Sequence, residues 1–211
     1  TYSTVTKSVE PVVMPEHTVG ALRRAFNALK NGRSGPVMVE VPADVMTSEF
    51  PGNDVHYEKV RRTRSAGDED DIEEAAKKLI DAKVPMIIAG QGVLYAEACD
   101  KLVKLAELLD TPVMTTTDGK SCFPEDHALA LGSGGAAMPR AVRDFLDNAD
   151  VIFGIGCSFG ETSFGVRMPK GKTIVHATLD PKHLNKDIEA RAALIGDAAL
   201  TLDALLVDLR A

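Results

Sequence analysis

Tryptophan is absent from the 211 residues, and aromatic side chains make up only 5% of them. Few platforms are left on which unpaired bases could stack, which argues against a single-stranded nucleic-acid binder. Cysteine is scarce: Cys99, Cys122 and Cys157 are widely spaced, odd in number and never arranged C-x-x-C. That excludes a disulfide scaffold and a cysteine-based zinc site, and it fits a reducing cytoplasm. No apolar run approaches the ~18 residues of a spanning helix. No basic segment followed by an apolar stretch opens the chain, as a secretory signal would. Positive charge is in the minority: 24 Lys and Arg stand against 31 Asp and Glu, a formal net charge of -7. Neither nucleic acid nor an anionic membrane is therefore expected as a partner. The first residue is Thr1, not Met, in a polar stretch; the expectation is an excised middle piece of a larger protein.

What is present suits a packed core. Hydrophobic residues are 45% and charged residues 26% of the chain, ordinary globular values. The length is about 1.4 times a ~150-residue domain. Residues 1–15 read as an extended lead. Val19, Leu22, Phe26 and Leu29 then recur at helical spacing over Thr18–Lys30, and Asn31-Gly32 closes that helix. Val37 to Val41 reads as a strand. Residues 43–67 lack periodicity and carry the basic cluster Arg61-Arg62-Thr63-Arg64, so a linker with a solvated basic face is expected.

From Asp68 the pattern changes. An acidic opening suits a helix N-terminus, and Ile72, Ala75, Ala76, Leu79 and Ile80 form an apolar stripe. Strands are expected at 85–89, 113–116, 151–155, 173–177 and 193–195. Helices are expected at 95–109, 139–148 and 200–209. The strands are continuous apolar runs alternating with helices, which implies an α/β fold with a doubly wound, mainly parallel sheet.

Ligands of such sheets sit beyond the carboxyl ends of the strands. The glycine turns there are Gly90-Gln91-Gly92, residues 115–123, residues 131–135 and residues 154–158. Their amides could face a phosphate, or the glycines could simply make tight turns. Asp180, after the 173–177 strand, could accept from a ribose. Gly132-x-Gly134-x-x-Ala137 matches the dinucleotide pattern loosely, midway along the domain; Gly154-x-Gly156 fails it at Phe159. Other chemistry is thin. The five histidines form no H-x-x-x-H pair, Ser133 and Ser158 lie outside any G-x-S-x-G elbow, and Gly119-Lys120-Ser121 lacks the rest of a Walker A loop. Cys157 reads as a buried turn cysteine. Tyr2, Tyr57 and Tyr95 form no Tyr-x-x-x-Lys pair, which ranks a dehydrogenase last.

The run Ser34-Gly-Pro-Val-Met-Val-Glu-Val-Pro-Ala-Asp-Val45 resembles the end of the pyrimidine-binding domain of thiamine diphosphate-dependent enzymes of the acetolactate synthase and 2-oxo acid decarboxylase type. Residues 85–92, Thr111-Pro-Val-Met-Thr-Thr116, Phe123-Pro-Glu-Asp-His127, Leu131-Gly132, Ala149 to Gly156, Leu179-Asp-Pro181 and Ile195-Gly-Asp197 resemble the central domain of the same enzymes, in the same order. The resemblance implies a Rossmann-like fold of the DHS-like NAD/FAD-binding type. It implies three segments: 1–45, tail of the pyrimidine-binding domain; 46–67, linker; 68–211, central domain. Thiamine diphosphate and Mg2+ would be held by domains on either side, so no catalytic or metal residue is assigned here, and the isolated chain is expected to be inactive. The central domain holds FAD or an ADP moiety in some relatives and is structural in others. By similarity such contacts fall on Gly90, Gly92, Thr117, Leu131, Gly132, Gly156, Ser158, Asp180, Gly196 and Asp197. The synthases carry a G-A-R-F segment where this chain has Gly156-Cys157-Ser158-Phe159; Ser158 replaces an arginine that would neutralise a diphosphate. The implied partners are the flanking catalytic domains and further copies of the whole protein, in a dimer or tetramer. The competing reading is a self-standing FAD-, ADP- or NAD-binding module.

Overall fold

The computed structural model describes residues 2–52 and 55–210. They form two compact units, Thr1–Arg64 and Ser65–Ala211.

In the first unit, β1 (Ser8–Pro11) and β2 (Val37–Glu40) pair in parallel, joined by α1 (Thr18–Lys30). The lead expected to be merely extended thus contains a strand; Ser8-Val-Glu-Pro has no apolar pattern of its own, and pairing with β2 creates it. Lys7 acts as the C-terminal cap of α1. Its Nζ donates to the carbonyls of Ala28 and Asn31 at 2.6 Å and of Arg33 at 2.9 Å, where a cation also meets the negative end of the helix dipole. The buried residues of α1 are Ala21 and Ala25, whereas Phe26 and Leu29, expected inward, are exposed. A two-stranded sheet is too narrow to cover the whole stripe. A short helix, α2 (Ala43–Thr47), follows. Residues 46–64 of the expected linker fall within this unit, and Arg61, Arg62 and Arg64 are exposed.

The second unit opens with α3 (Glu69–Ile80), capped by Asp68, whose carboxylate accepts from the amide of Asp70 at 3.0 Å. Then come β3 (Pro85–Ala89), α4 (Gln91–Tyr95), α5 (Cys99–Leu109), β4 (Val113–Thr116), β5 (Ala130–Gly134), α6 (Arg140–Asn148), β6 (Val151–Ile155), β7 (Thr173–Thr178), β8 (Ala192–Ile195) and α7 (Ala198–Asp208). The six strands run parallel in the order β5-β4-β3-β6-β7-β8. Chain order reverses between β3 and β6, so the crevice at that switch point is where a doubly wound sheet would receive a ligand. Residues alternate between two cores. Ile87, Phe153 and Ile155 pack with α3, α5 and α7 on one face; Met86, Ile88 and Ile152 pack with Val142 and Leu146 of α6 on the other. The doubly wound α/β expectation holds.

Three local expectations change. The helix expected over 95–109 begins only at Cys99, as α5; a separate helix, α4, ends at Tyr95, and between them Glu97 takes a left-handed φ of 55° and the amide of Ala98 reaches back to Val93 O at 3.0 Å. Residues 131–135, expected as a glycine loop, are mostly the edge strand β5. Gly134 admits a neighbour: a Cβ there would lie 2.5 Å from the Met114 sulfur. Ser133 Oγ and Thr115 Oγ1 are hydrogen-bonded across the β4–β5 pair at 2.7 Å. Ile80, assigned to the apolar stripe of α3, is exposed.

Candidate functional site

All strands being parallel, the turns that leave the carboxyl ends of the six strands lie along one edge of the sheet. They place Gly90 and Gly92 after β3, Thr117 after β4, Gly156 and Ser158 after β6, Asp180 after β7, and Gly196 and Asp197 after β8. Leu131 and Gly132 lie within β5 rather than in a turn.

At the switch point the turns after β3 and β6 touch backbone to backbone. A Cβ on Gly90 would stand 2.4 Å from Gly156 O and 2.7 Å from Cys157 Cα; on Gly92, 2.7 Å from Gly156 Cα; on Gly156, 2.7 Å from the Val93 nitrogen. Gly119, the glycine of the 115–123 turn, completes the cluster: its Cβ would be 2.6 Å from Ala89 O. A G-x-G spacing flags glycines within one turn; Gly119 approaches from a different turn, so no local pattern marks it.

The glycine amides are already engaged. Gly90 N–H donates to Ile155 O at 2.8 Å, Gly92 N–H to Gly156 O at 2.9 Å, Gly156 N–H to Ala177 O at 3.0 Å and Gly196 N–H to Thr178 O at 3.0 Å. The other polar candidates serve turns. Ser158 Oγ accepts from Gly160 N at 3.3 Å. Asp180 accepts from Lys182 N at 3.1 Å, and Asp197 caps α7 through Ala199 N at 3.1 Å. Thr117 is exposed. Gly132 has a φ of +88° and open space where a side chain would stand.

Phe159 explains why a bulky residue occupies the third position of the failed pattern. Its ring lies over Gly154, where a Cβ would come within 2.1 Å of Cζ, and meets His176 edge-on at a centroid distance of 4.8 Å. His176 is buried on β7 and its Nε2 donates to Cys157 O at 3.0 Å. Burial holds its pKa below the usual histidine value, so the ring packs as a neutral group.

Burial pushes the Cys157 and Cys122 thiols up to about 12. Cys99, only partly buried, is also raised, again by burial first. The thiolate is the reactive form. An aromatic disulfide reagent at pH 8 should therefore label the folded protein at Cys99 alone, and all three cysteines after denaturation; rapid labelling of native Cys157 would contradict the closed turn. Among the described residues, no group of three His, Cys, Asp or Glu side chains is placed to hold a metal ion. No described helix is long and apolar enough to cross a membrane.

Residues 72–205 match the family described as thiamine pyrophosphate enzyme, central domain. The chain is 33% identical over 210 residues to the acetolactate synthase large subunit of Corynebacterium glutamicum, covering 96% of this chain and 33% of that protein. It is 35% identical over 186 residues to the glyoxylate carboligase of Escherichia coli O157:H7, covering 86% of this chain and 31% of that protein. Among solved structures, benzoylformate decarboxylase from Polynucleobacter necessarius superposes with a TM-score of 0.82 at 26% identity, over 96% of this chain and 38% of that one. The chain thus spans about a third of the length of the curated relatives it matches. The α/β unit, its parallel strand order and this match agree: the chain belongs to the thiamine pyrophosphate enzyme family, as a representative of its central domain.

Proposed function

We propose that the chain is the middle of an acetolactate synthase-like enzyme of the cytoplasm, dependent on thiamine diphosphate and magnesium, that decarboxylates and ligates 2-oxo acids. In that reading Thr1–Arg64 is the tail of the pyrimidine-binding domain and its connection. The exposed apolar side chains of Val5, Val13, Phe26 and Met46 support it, because surface of that kind is normally covered. Ser65–Ala211 is the central domain, which aligns the flanking catalytic domains and supports assembly of the whole protein as a dimer or tetramer. Bound thiamine diphosphate supplies the electron sink for the carbanion. Residues of this chain supply the frame.

The observation that carries a structural rather than a nucleotide-holding role is the closure of the switch-point crevice. A diphosphate cradle needs glycine amides pointing outward. Here those of Gly90, Gly92 and Gly156 point into the protein's own hydrogen bonds, and Ser158 stands where the synthases carry an arginine. The residues present do not fit FAD or ADP. A self-standing nucleotide-binding module is the second reading, favoured by a strand order that is also the dinucleotide-binding order. Thermal unfolding of the chain with FAD, ADP, NAD or thiamine diphosphate separates the two. We expect no rise in Tm with any of them. A site filled at a hundredfold excess over Kd would add about 2.7 kcal/mol, and a shift of that size with FAD, ADP or NAD would favour the second reading.

A further inference from the structure

A cavity of about 370 Å³ opens beyond the carboxyl end of β5, lined by residues 135–138 and by Arg140, Arg143 and Arg167. Its volume lies within the range of about 300–1,000 Å³ usual for small-ligand sites. It contains none of the ten positions assigned by similarity. Its charge is one-sided: three of the seven lining residues are arginine and none is acidic, in a chain whose net charge is -7.

The arginines come from two segments that the structure ties together. Arg140 and Arg143 lie in the first turn of α6, and Arg143 Nη1 donates to the carbonyl of Arg167 at 2.9 Å. Carboxylates do little to neutralise them. Arg140 Nε is 3.8 Å from Asp144 and Arg143 Nε is 3.9 Å from Asp147, both at the outer limit of an ion pair, the first largely and the second partly in solvent, where such pairs are worth little. Arg167 makes no ion pair among the described residues. Pro139 gives the start of α6 no side-chain cap, so the positive end of the helix adds to the same field. The backbone of the cavity wall is held in place: Gly135 N–H donates to Ala137 O at 3.2 Å and Ala136 N–H to Phe164 O at 3.0 Å.

We propose that this cavity binds the phosphate group of a small phosphate monoester, not the diphosphate of a nucleotide. Guanidinium forks match phosphate oxygens two at a time, and gathering three of them in a concave surface costs mutual repulsion that a dianion relieves.

Calorimetric titration of the chain with inorganic pyrophosphate and, separately, with glycerol phosphate tests this. Saturable binding of one anion per chain is expected, weaker at higher ionic strength. Stronger binding of glycerol phosphate supports a monoester ligand; stronger binding of pyrophosphate would overturn the proposal in favour of a diphosphate site. Arg140→Gln and Arg167→Gln, both at exposed positions, should each weaken binding roughly tenfold with Tm unchanged. Arg191→Gln, outside the cavity, should leave it intact. Absence of saturable binding with both anions, or equal weakening by all three variants, would overturn the proposal. Neither result bears on the family assignment.

Discussion

Gly156→Ala should lower the stability of the α/β unit by about 4 kcal/mol and Gly90→Ala by about 3 kcal/mol, measured by urea unfolding. The two sites fail for related reasons. Alanine at 90 puts a methyl group 2.4 Å from Gly156 O and 2.7 Å from the Cys157 backbone. Neither is the end of a flexible side chain, so a turn must move, and with it the central pair β3 and β6. Gly156 adds a left-handed φ of 63° to its clash with the Val93 nitrogen, a conformation costing an L side chain about 1–2 kcal/mol by itself. Gly132→Ala is the control. Its φ is +88° but nothing lies within 4 Å of the new methyl, so only the conformational cost of about 1–2 kcal/mol applies. Equal losses at Gly90 and Gly132 would mean that the turns are not packed backbone to backbone.

Asp150→Ala should cost about 2 kcal/mol, at the opposite edge of the same sheet. The Asp150 carboxylate accepts from Lys83 N at 2.8 Å, Val84 N at 2.9 Å and Val151 N at 2.8 Å. Its own amide donates to Val84 O at 3.1 Å, and its carbonyl accepts from Thr173 N at 2.9 Å. One residue thereby fixes the amino ends of β3, β6 and β7. Burial opposes ionisation, but the backbone amides outweigh it and hold the carboxyl below the usual range. The figure stays modest because the group is partly in solvent, where charge is screened. The folded pKa is depressed, so the contribution is complete above the unfolded value of about 3.9 and is lost as pH falls below it. The wild-type protein should lose stability in that acid range more steeply than Asp150→Ala. Parallel curves would remove the carboxylate from the account.

The sheet interior was legible because burial on both faces writes itself into composition. Pro85-Met-Ile-Ile-Ala89 and Val151-Ile-Phe-Gly-Ile155 are apolar without a break, and both are strands. β1 and β5 were not legible. Ser8-Val-Glu-Pro11 and Ala130-Leu-Gly-Ser-Gly134 have weak strand propensity, and their partners β2 and β4 impose the conformation. Phe26 and Leu29 followed helical spacing correctly, but spacing cannot say whether anything covers the face. The glycine turns show the sharpest limit. Glycine at 90, 92 and 156 is equally consistent with an open phosphate cradle and with a closed backbone contact. The difference lies in where each amide points, which depends on how the turns after β3 and β6 approach. Nor does the sequence flag Arg140, Arg143 and Arg167 as neighbours, since Arg167 reaches the others only through the fold.

Amide hydrogen exchange at Gly90, Gly92 and Gly156, with and without FAD, tests the central claim most directly. If the crevice is closed by its own backbone, all three amides are strongly protected in the free chain and FAD leaves their rates unchanged. Fast exchange in the free chain that FAD slows would contradict it, and would make these turns a nucleotide site.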